Sequence, residues 1–369
     1  MRKILLSVLT ALVCAVGLKA QSLSHSTYMI QRDLKDAETV ERIDYELFDY
    51  IYLMAAPAWS KADFTKGREA VLRELVTDFR YPSDGGRELV PYMIDRAHRT
   101  GTRVLLSFAG EGFLPKVSDE AQRGVFVEMM TALVQKYGFD GIEVDWESEF
   151  DMKLHVQFLA EIRYALDRLE RAEGRRMFLS TALHSWRVYT QELADKLSAS
   201  VDWINIMTYD MGGGIWGKIP SHNTPMDGIR RDLARWNVFA KDKLCIGLAN
   251  YGFIYENVLP GETAAEGLKK QGRYISYNAA LPLIEGGWTA EYDADAQMNY
   301  YYNPERTGFI TMDSQESLAV KVDWVRDEGF RGVFWWEYGY DLIPSEGKAK
   351  FRHHLIDSVA RSLSASPAR

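Results

Sequence analysis

Residues Phe139-Asp140-Gly141-Ile142-Glu143-Val144-Asp145-Trp146-Glu147 alternate acidic and apolar side chains. Successive side chains of an extended strand point to opposite faces, so Glu143, Asp145 and Glu147 share one face and Ile142, Val144 and Trp146 the other. With the apolar face packed on helices, the carboxyls climb the opposite face in steps of roughly 6.6 Å. Like charges and removal from water each raise a carboxyl's pKa, so three acids in a confined interior do not all ionise near neutrality. A carboxyl that keeps its proton beside an ionised neighbour is what general acid catalysis requires. The other reading is an edge strand with solvated acids, which the interleaved apolar residues disfavour. A calcium-type cage lacks a second acid-rich loop to complete it. Spacing alone leaves acid catalysis and a solvated acidic edge both open.

The elements that must position these acids follow from periodicity. Short runs rich in β-branched or aromatic residues fall at 27–30, 48–55, 102–109, 138–145, 177–183, 201–209, 243–249 and 332–336, and predict eight strands. Between them, helical spacing covers 90–98, 120–137, 152–173, 191–198, 228–239 and 316–327, with a last helix expected at 346–363. Alternating strands and helices build a parallel sheet, and eight such units close a barrel. The spacing breaks between strands seven and eight, where the connection is too long for one helix and its loops. The chain is therefore read as α/β, a TIM (β/α)8 barrel of residues 21–252 and 314–369, with a small α+β insertion at 253–313. Active sites of this architecture sit at the carboxyl ends of the strands, where Glu147 ends the fourth.

Composition narrows the function classes. Over 369 residues, 44 Lys and Arg stand against 52 Asp and Glu, giving a net charge of −8. No basic stripe is present to neutralise a phosphate backbone, so nucleic acid is excluded as an expected partner. Arg2 and Lys3 precede an apolar run from Ile4 to Leu18, and Ala20 lies before the polar Gln21-Ser22. This order of charged, apolar and small residues predicts a signal peptide at 1–20 and a secreted or periplasmic mature chain with no membrane association. Only Cys14 and Cys245 are present, so the processed chain keeps one thiol and no internal disulfide. The seven histidines show no metal-ligand spacing, and no metal or cofactor is expected. His353-His354 reads as a solvated helix surface, and the protein is expected to be a monomer.

At the acidic strand the sequence resembles the family 18 glycoside hydrolases, the chitinases and their relatives, whose signature DGxDxDxE lies on the fourth strand of a TIM barrel. Further marks follow in order. Ser107-Phe108-Ala109-Gly110 resembles SxGG, Met207-Thr208-Tyr209-Asp210 matches MxYD, and Gly247-Leu248-Ala249-Asn250-Tyr251-Gly252 resembles GxPxYG. Gly332-Val333-Phe334-Trp335-Trp336-Glu337 resembles the family's strand-eight ending, and Tyr274 to Tyr277, Gly287 to Thr289 and Tyr292-Asp293 resemble the chitinase insertion domain. The likeness spans residues 26–341.

The resemblance implies retaining hydrolysis in which the substrate's own 2-acetamido oxygen attacks the anomeric carbon. By it, Glu147 is the proton donor and later the base, Asp145 orients the acetamido group, and Tyr209 supports it. Trp336 is the apolar floor, with Met207 beside it and Asp210 as a hydrogen-bonding partner for substrate. The implied substrate is an N-acetylglucosamine oligo- or polysaccharide joined by β-1,4 linkages, chitin above all. Alternatives within the family are cleavage of N-glycan chitobiose cores and a non-catalytic lectin, which Glu147 argues against. Glu143 stands where the family has Asp, one methylene longer, and implies an altered pH optimum. Ser148-Glu149 follows Glu147 where the family has Tyr-Pro. Trp216, in the loop after strand six, is either a stacking platform for the leaving sugar or a packing residue. Trp59, Trp186 and Trp288 divide between the cleft and the core in the same way.

Overall fold

The computed structural model describes residues 23–364 apart from 345 and 348, so the expected signal segment 1–20 lies outside the described residues. Seven strands of the barrel come first: β1 (Ser24–Ile30), β2 (Tyr50–Met54), β3 (Arg103–Gly110), β4 (Gly141–Trp146), β5 (Phe178–His184), β6 (Trp203–Met207) and β7 (Leu244–Ala249). A five-stranded antiparallel sheet follows, made of β8 (Tyr251–Glu256), β9 (Gly272–Ser276), β10 (Thr289–Asp293), β11 (Met298–Tyr302) and β12 (Gly308–Thr311), before β13 (Gly332–Trp336). Strands β1 to β7 and β13 pair in parallel as a closed eight-stranded barrel, with β13 between β7 and β1.

Helices α1 (Leu89–Thr100), α2 (Glu120–Tyr137), α3 (Met152–Glu173), α4 (Gln191–Ser200), α5 (Met226–Leu233), α6 (Tyr277–Glu285), α7 (Gln315–Glu328) and α8 (Ile356–Ser364) complete the main framework. Those flanking β4 are sharply bounded. Asp119 caps α2 by accepting the Gln122 N–H, and Gly138 ends it in the left-handed region, where a residue without Cβ costs least. Asp151 caps α3 by accepting from Lys153 and Leu154, so the chain after β4 turns straight back into a helix. The base of β4 is pinned by buried Asp140, which accepts the Val104 N–H at 2.8 Å and lies 2.7 Å from His98 Nε2.

The pleat sorts two cores. Ile142, Val144 and Trp146 join the large apolar layer between barrel and helices, while Tyr28, Tyr52, Leu105, Trp203, Met207 and Phe334 fill the barrel interior. Glu143 belongs to that interior, opposite Ser107 on β3. The antiparallel sheet is tied to the barrel through buried polar groups. Lys321 of α7 pairs with Asp313 and donates to Thr224 at 2.8 Å, and His222 Nδ1 lies 2.9 Å from the Thr311 hydroxyl.

Three expectations are corrected. The helix expected at 346–363 begins only at Ile356, because the chain first pairs Leu342–Ile343 with Arg352–His353. His353 is therefore no solvated helix residue: it is buried, with Nδ1 2.9 Å from Asp341. The helix expected at 228–239 spans Met226–Leu233 and tightens into a 3-10 turn, Ala234–Trp236, as Trp236 turns inward.

Candidate active site

At the carboxyl ends of the barrel strands a cleft of about 450 Å³ is lined by Asp145, Glu147, His184, Met207, Tyr209, Asp210 and Trp336, and by Tyr251, Tyr274, Ser276 and Tyr340. Six of the eight residues singled out from sequence thus meet in one concavity. Glu143 lies one step deeper in the barrel, and Trp216 stands outside the lining. Trp216 is 68% exposed, with the Lys269 ammonium 3.2 Å from its ring centre. Trp59 packs in the core against Phe113 and Phe126, and Trp288 packs against the Ile254 and Ile275 cluster.

The acids differ in environment as they climb. Glu143 is fully buried and accepts hydrogen bonds from Ser107 Oγ at 2.6 Å and Tyr28 Oη at 2.9 Å. Burial pushes it up to about 8, against those hydrogen bonds, which favour the charged form. Asp145 has one carboxyl oxygen buried without a protein partner, and burial, then Glu147 and Glu143, raise its pKa well above the usual carboxylate range. Burial thus favours a proton shared by the two deeper acids, Glu143 and Asp145. Glu147, just past the end of β4, is open to the cleft, with Oε2 3.4 Å from His184 Nε2.

The rest of the wall is fixed by hydrogen bonds. Tyr251 Oη donates to Asp210 Oδ1 at 2.7 Å, and the Asp210 N–H donates to Asn223 Oδ1 at 2.7 Å, holding Asp210 at a left-handed φ of 54°. Burial keeps Tyr209 a neutral phenol. Gly247 lets it sit there, since a Cβ at that position would lie 2.8 Å from Tyr209 Cε1. On the floor, Trp336 packs on Tyr28 with centroids 5.5 Å apart. Asn250 holds the following residue, accepting the Glu337 N–H at 2.8 Å and donating to the Glu337 carbonyl at 2.6 Å. The cleft thus presents an indole, a buried carboxyl oxygen without a protein partner and an open carboxyl at the rim.

Sequence reasoning missed His184, Tyr274 and Tyr340, and gave Tyr251 no role. Tyr251 carried a signal in the strand-seven motif; His184 gains meaning only when β5 is seated beside β4. Among the described residues no group of three or more His, Cys, Asp or Glu is arranged to hold a metal ion, and no helix is long and apolar enough to cross a membrane.

Comparisons with known proteins agree with this fold. Chitinase A1 of Niallia circulans is 28% identical over 65% of this chain and 40% of its own length. A probable endochitinase of Caenorhabditis elegans is 24% identical over 85% of this chain and 55% of its own. The chain thus spans about half or less of these two relatives. The fold matches that of a Cycas revoluta chitinase solved with (GlcNAc)3, at a TM-score of 0.69 and 20% identity, over 92% of this chain and 98% of that one. The family model for glycosyl hydrolases family 18 matches residues 31–341, and the chain belongs to that family.

Proposed function

We propose that the protein is a secreted, retaining glycoside hydrolase that cleaves β-1,4 linkages of N-acetylglucosamine polymers, chitin or its oligosaccharides, and acts as a monomer. The observation that carries this reading is the unpartnered, buried oxygen of Asp145, aligned along β4 between Glu143 and the open Glu147. A buried polar atom without a partner is costly, and an acetamido N–H is a donor of the right kind for it. The Cycas revoluta relative, solved with (GlcNAc)3, supports the same sugar.

In this reading Trp336 supports the sugar, and Asp145 and Tyr209 hold its 2-acetamido group so that the amide oxygen faces the anomeric carbon. Glu147 gives its proton to the glycosidic oxygen as that bond breaks, and the amide oxygen closes on the anomeric carbon. With the proton of the deeper pair resting on Glu143, an ionised Asp145 stabilises the positive charge of the resulting oxazolinium. Glu147, now a carboxylate, takes a proton from water as the water opens the ring, giving product of retained configuration.

The test is Glu147→Gln assayed on chitotetraose, with product masses and anomeric configuration read for the parent enzyme. Loss of turnover in the variant and retained product support the reading. Turnover by the variant, an inverted product, or comparable hydrolysis of plain glucans overturns it. A glycoprotein substrate run alongside distinguishes cleavage of N-glycan cores, and binding without hydrolysis distinguishes a lectin.

A further inference from the structure

A side chain beside the proposed proton donor has no task in either the sequence motifs or the mechanism above. His184 ends β5, and its Nε2 lies 3.4 Å from Glu147 Oε2. Register places it beside Met207, so strand pairing aims it at the cleft mouth. Its other ring face lies parallel to the Trp186 indole, with centroids 5.3 Å apart and planes within 16°. Trp186 is itself held: the Arg187 guanidinium lies 4.9 Å from its ring centre and 3.5 Å from that of Phe150. Arg187 Nη2 also donates to the Glu147 carbonyl at 3.4 Å. The imidazole is thus wedged between an indole and a carboxyl, a tight setting for a side chain 28% exposed at the rim.

We propose that His184 is a positioning residue for proton transfer: it holds the Glu147 carboxyl in one orientation and places an imidazole beside the carboxylate that forms when the proton leaves. The proposal rests on the function given above. When Glu147 passes its proton to the glycosidic oxygen, the electron pair of the breaking C–O bond goes to that oxygen and Glu147 becomes anionic. With the imidazole edge against Oε2, Oε1 is the oxygen free to carry the proton. A protonated imidazole there offsets the new negative charge. The other ionisable acids that share the cleft with His184 are Asp145 and Glu147 from the end of β4 and Asp210 from beyond β6, and Arg187 on its own loop donates to the Glu147 carbonyl. Asp210 and His184 also attract each other across the cleft.

A cation beside Glu147 favours its ionised form, so removing the cation lets Glu147 keep its proton to higher pH. His184→Gln retains an N–H donor without a charge, and His184→Ala retains neither. On chitotetraose, kcat of H184A is expected to fall about tenfold or more with KM changed less than threefold, and H184Q is expected to recover part of that loss. The alkaline limb of the kcat profile is expected to move to higher pH in both variants, and to do so again in an Asp210→Asn background, which keeps Asp210 out of the limb. Unchanged kcat and an unmoved limb overturn the proposal, as does a change confined to KM, which would make His184 a sugar contact. Glu147→Gln run in parallel separates the two readings. An active E147Q overturns the mechanism itself, whereas an inactive E147Q with H184A indistinguishable from the parent overturns only the role of His184.

Discussion

Replacing Glu143 by Gln tests where the barrel keeps its extra proton. In the folded chain this carboxyl is raised from an ordinary 4.5 to about 8, burial being the main cause. Because the folded value lies above the unfolded one, the folded state binds the proton more tightly. The associated stability is complete below about 4.5 and is lost as pH rises toward 8. The gap amounts to on the order of 3 kcal/mol lost between pH 5 and pH 8. Gln is close to the shape of the protonated acid and cannot ionise, so E143Q lacks this loss. Its carbonyl can still accept from Tyr28 or Ser107, although the amide nitrogen cannot accept from the other hydroxyl. The assay is urea unfolding of both proteins at pH 5 and pH 8. The unfolding free energy of the variant, measured relative to the parent, is expected to rise by that amount between the two. A difference that is the same at both pH values, or one that falls, refutes the assignment of the proton to Glu143.

Two further outcomes follow from packing. Gly247→Ala places a Cβ 2.8 Å from Tyr209 Cε1, 2.9 Å from the Ile206 carbonyl oxygen and 3.0 Å from Phe334 Cζ, so Tyr209 must move into the cleft. Its kcat on chitotetraose should drop at least tenfold while circular dichroism stays that of the parent; full activity would show that Tyr209 has no fixed task. Lys321→Met strands Asp313, which is fully buried and keeps only hydroxyl partners from Ser317 and Thr224. Loss of one partner from a buried ion pair costs about 3–5 kcal/mol, read as a lower urea midpoint, and an unchanged midpoint would show that the pair does not hold the sheet to the barrel.

Much of the framework was legible because its signals are local. Helices α2 and α3 start and stop where the sequence places them, since Asp119 and Asp151 cap their beginnings and Gly138 and Gly174 end them. The alternation in β4 fixed which acids face inward, and Glu143 and Asp145 lie where that alternation puts them. What sequence could not supply were contacts made across strands. His184 looks like any strand-end residue until β5 lies against β4. His353 reads as surface beside His354 because nothing local announces its partner, Asp341, twelve residues earlier. Trp216 is aromatic and close to a motif, yet Lys269, far along the chain, covers its ring. The acidic gradient was predicted in kind, but which acids hold protons depends on how deep each carboxyl sits.

Asn250 and Tyr251 are consecutive, and one grips the backbone behind Trp336 while the other grips Asp210. The gap between the indole and the opposing carboxylate is therefore spanned by a single peptide link, a gauge with almost no play. The antiparallel sheet reaches the groove through Tyr274, Ile275 and Ser276 of β9, so that strand is where the groove can be widened for a branched or bulkier chain. Exchanging β9 between relatives should exchange preferences for decoration while leaving the seat of the reacting ring untouched.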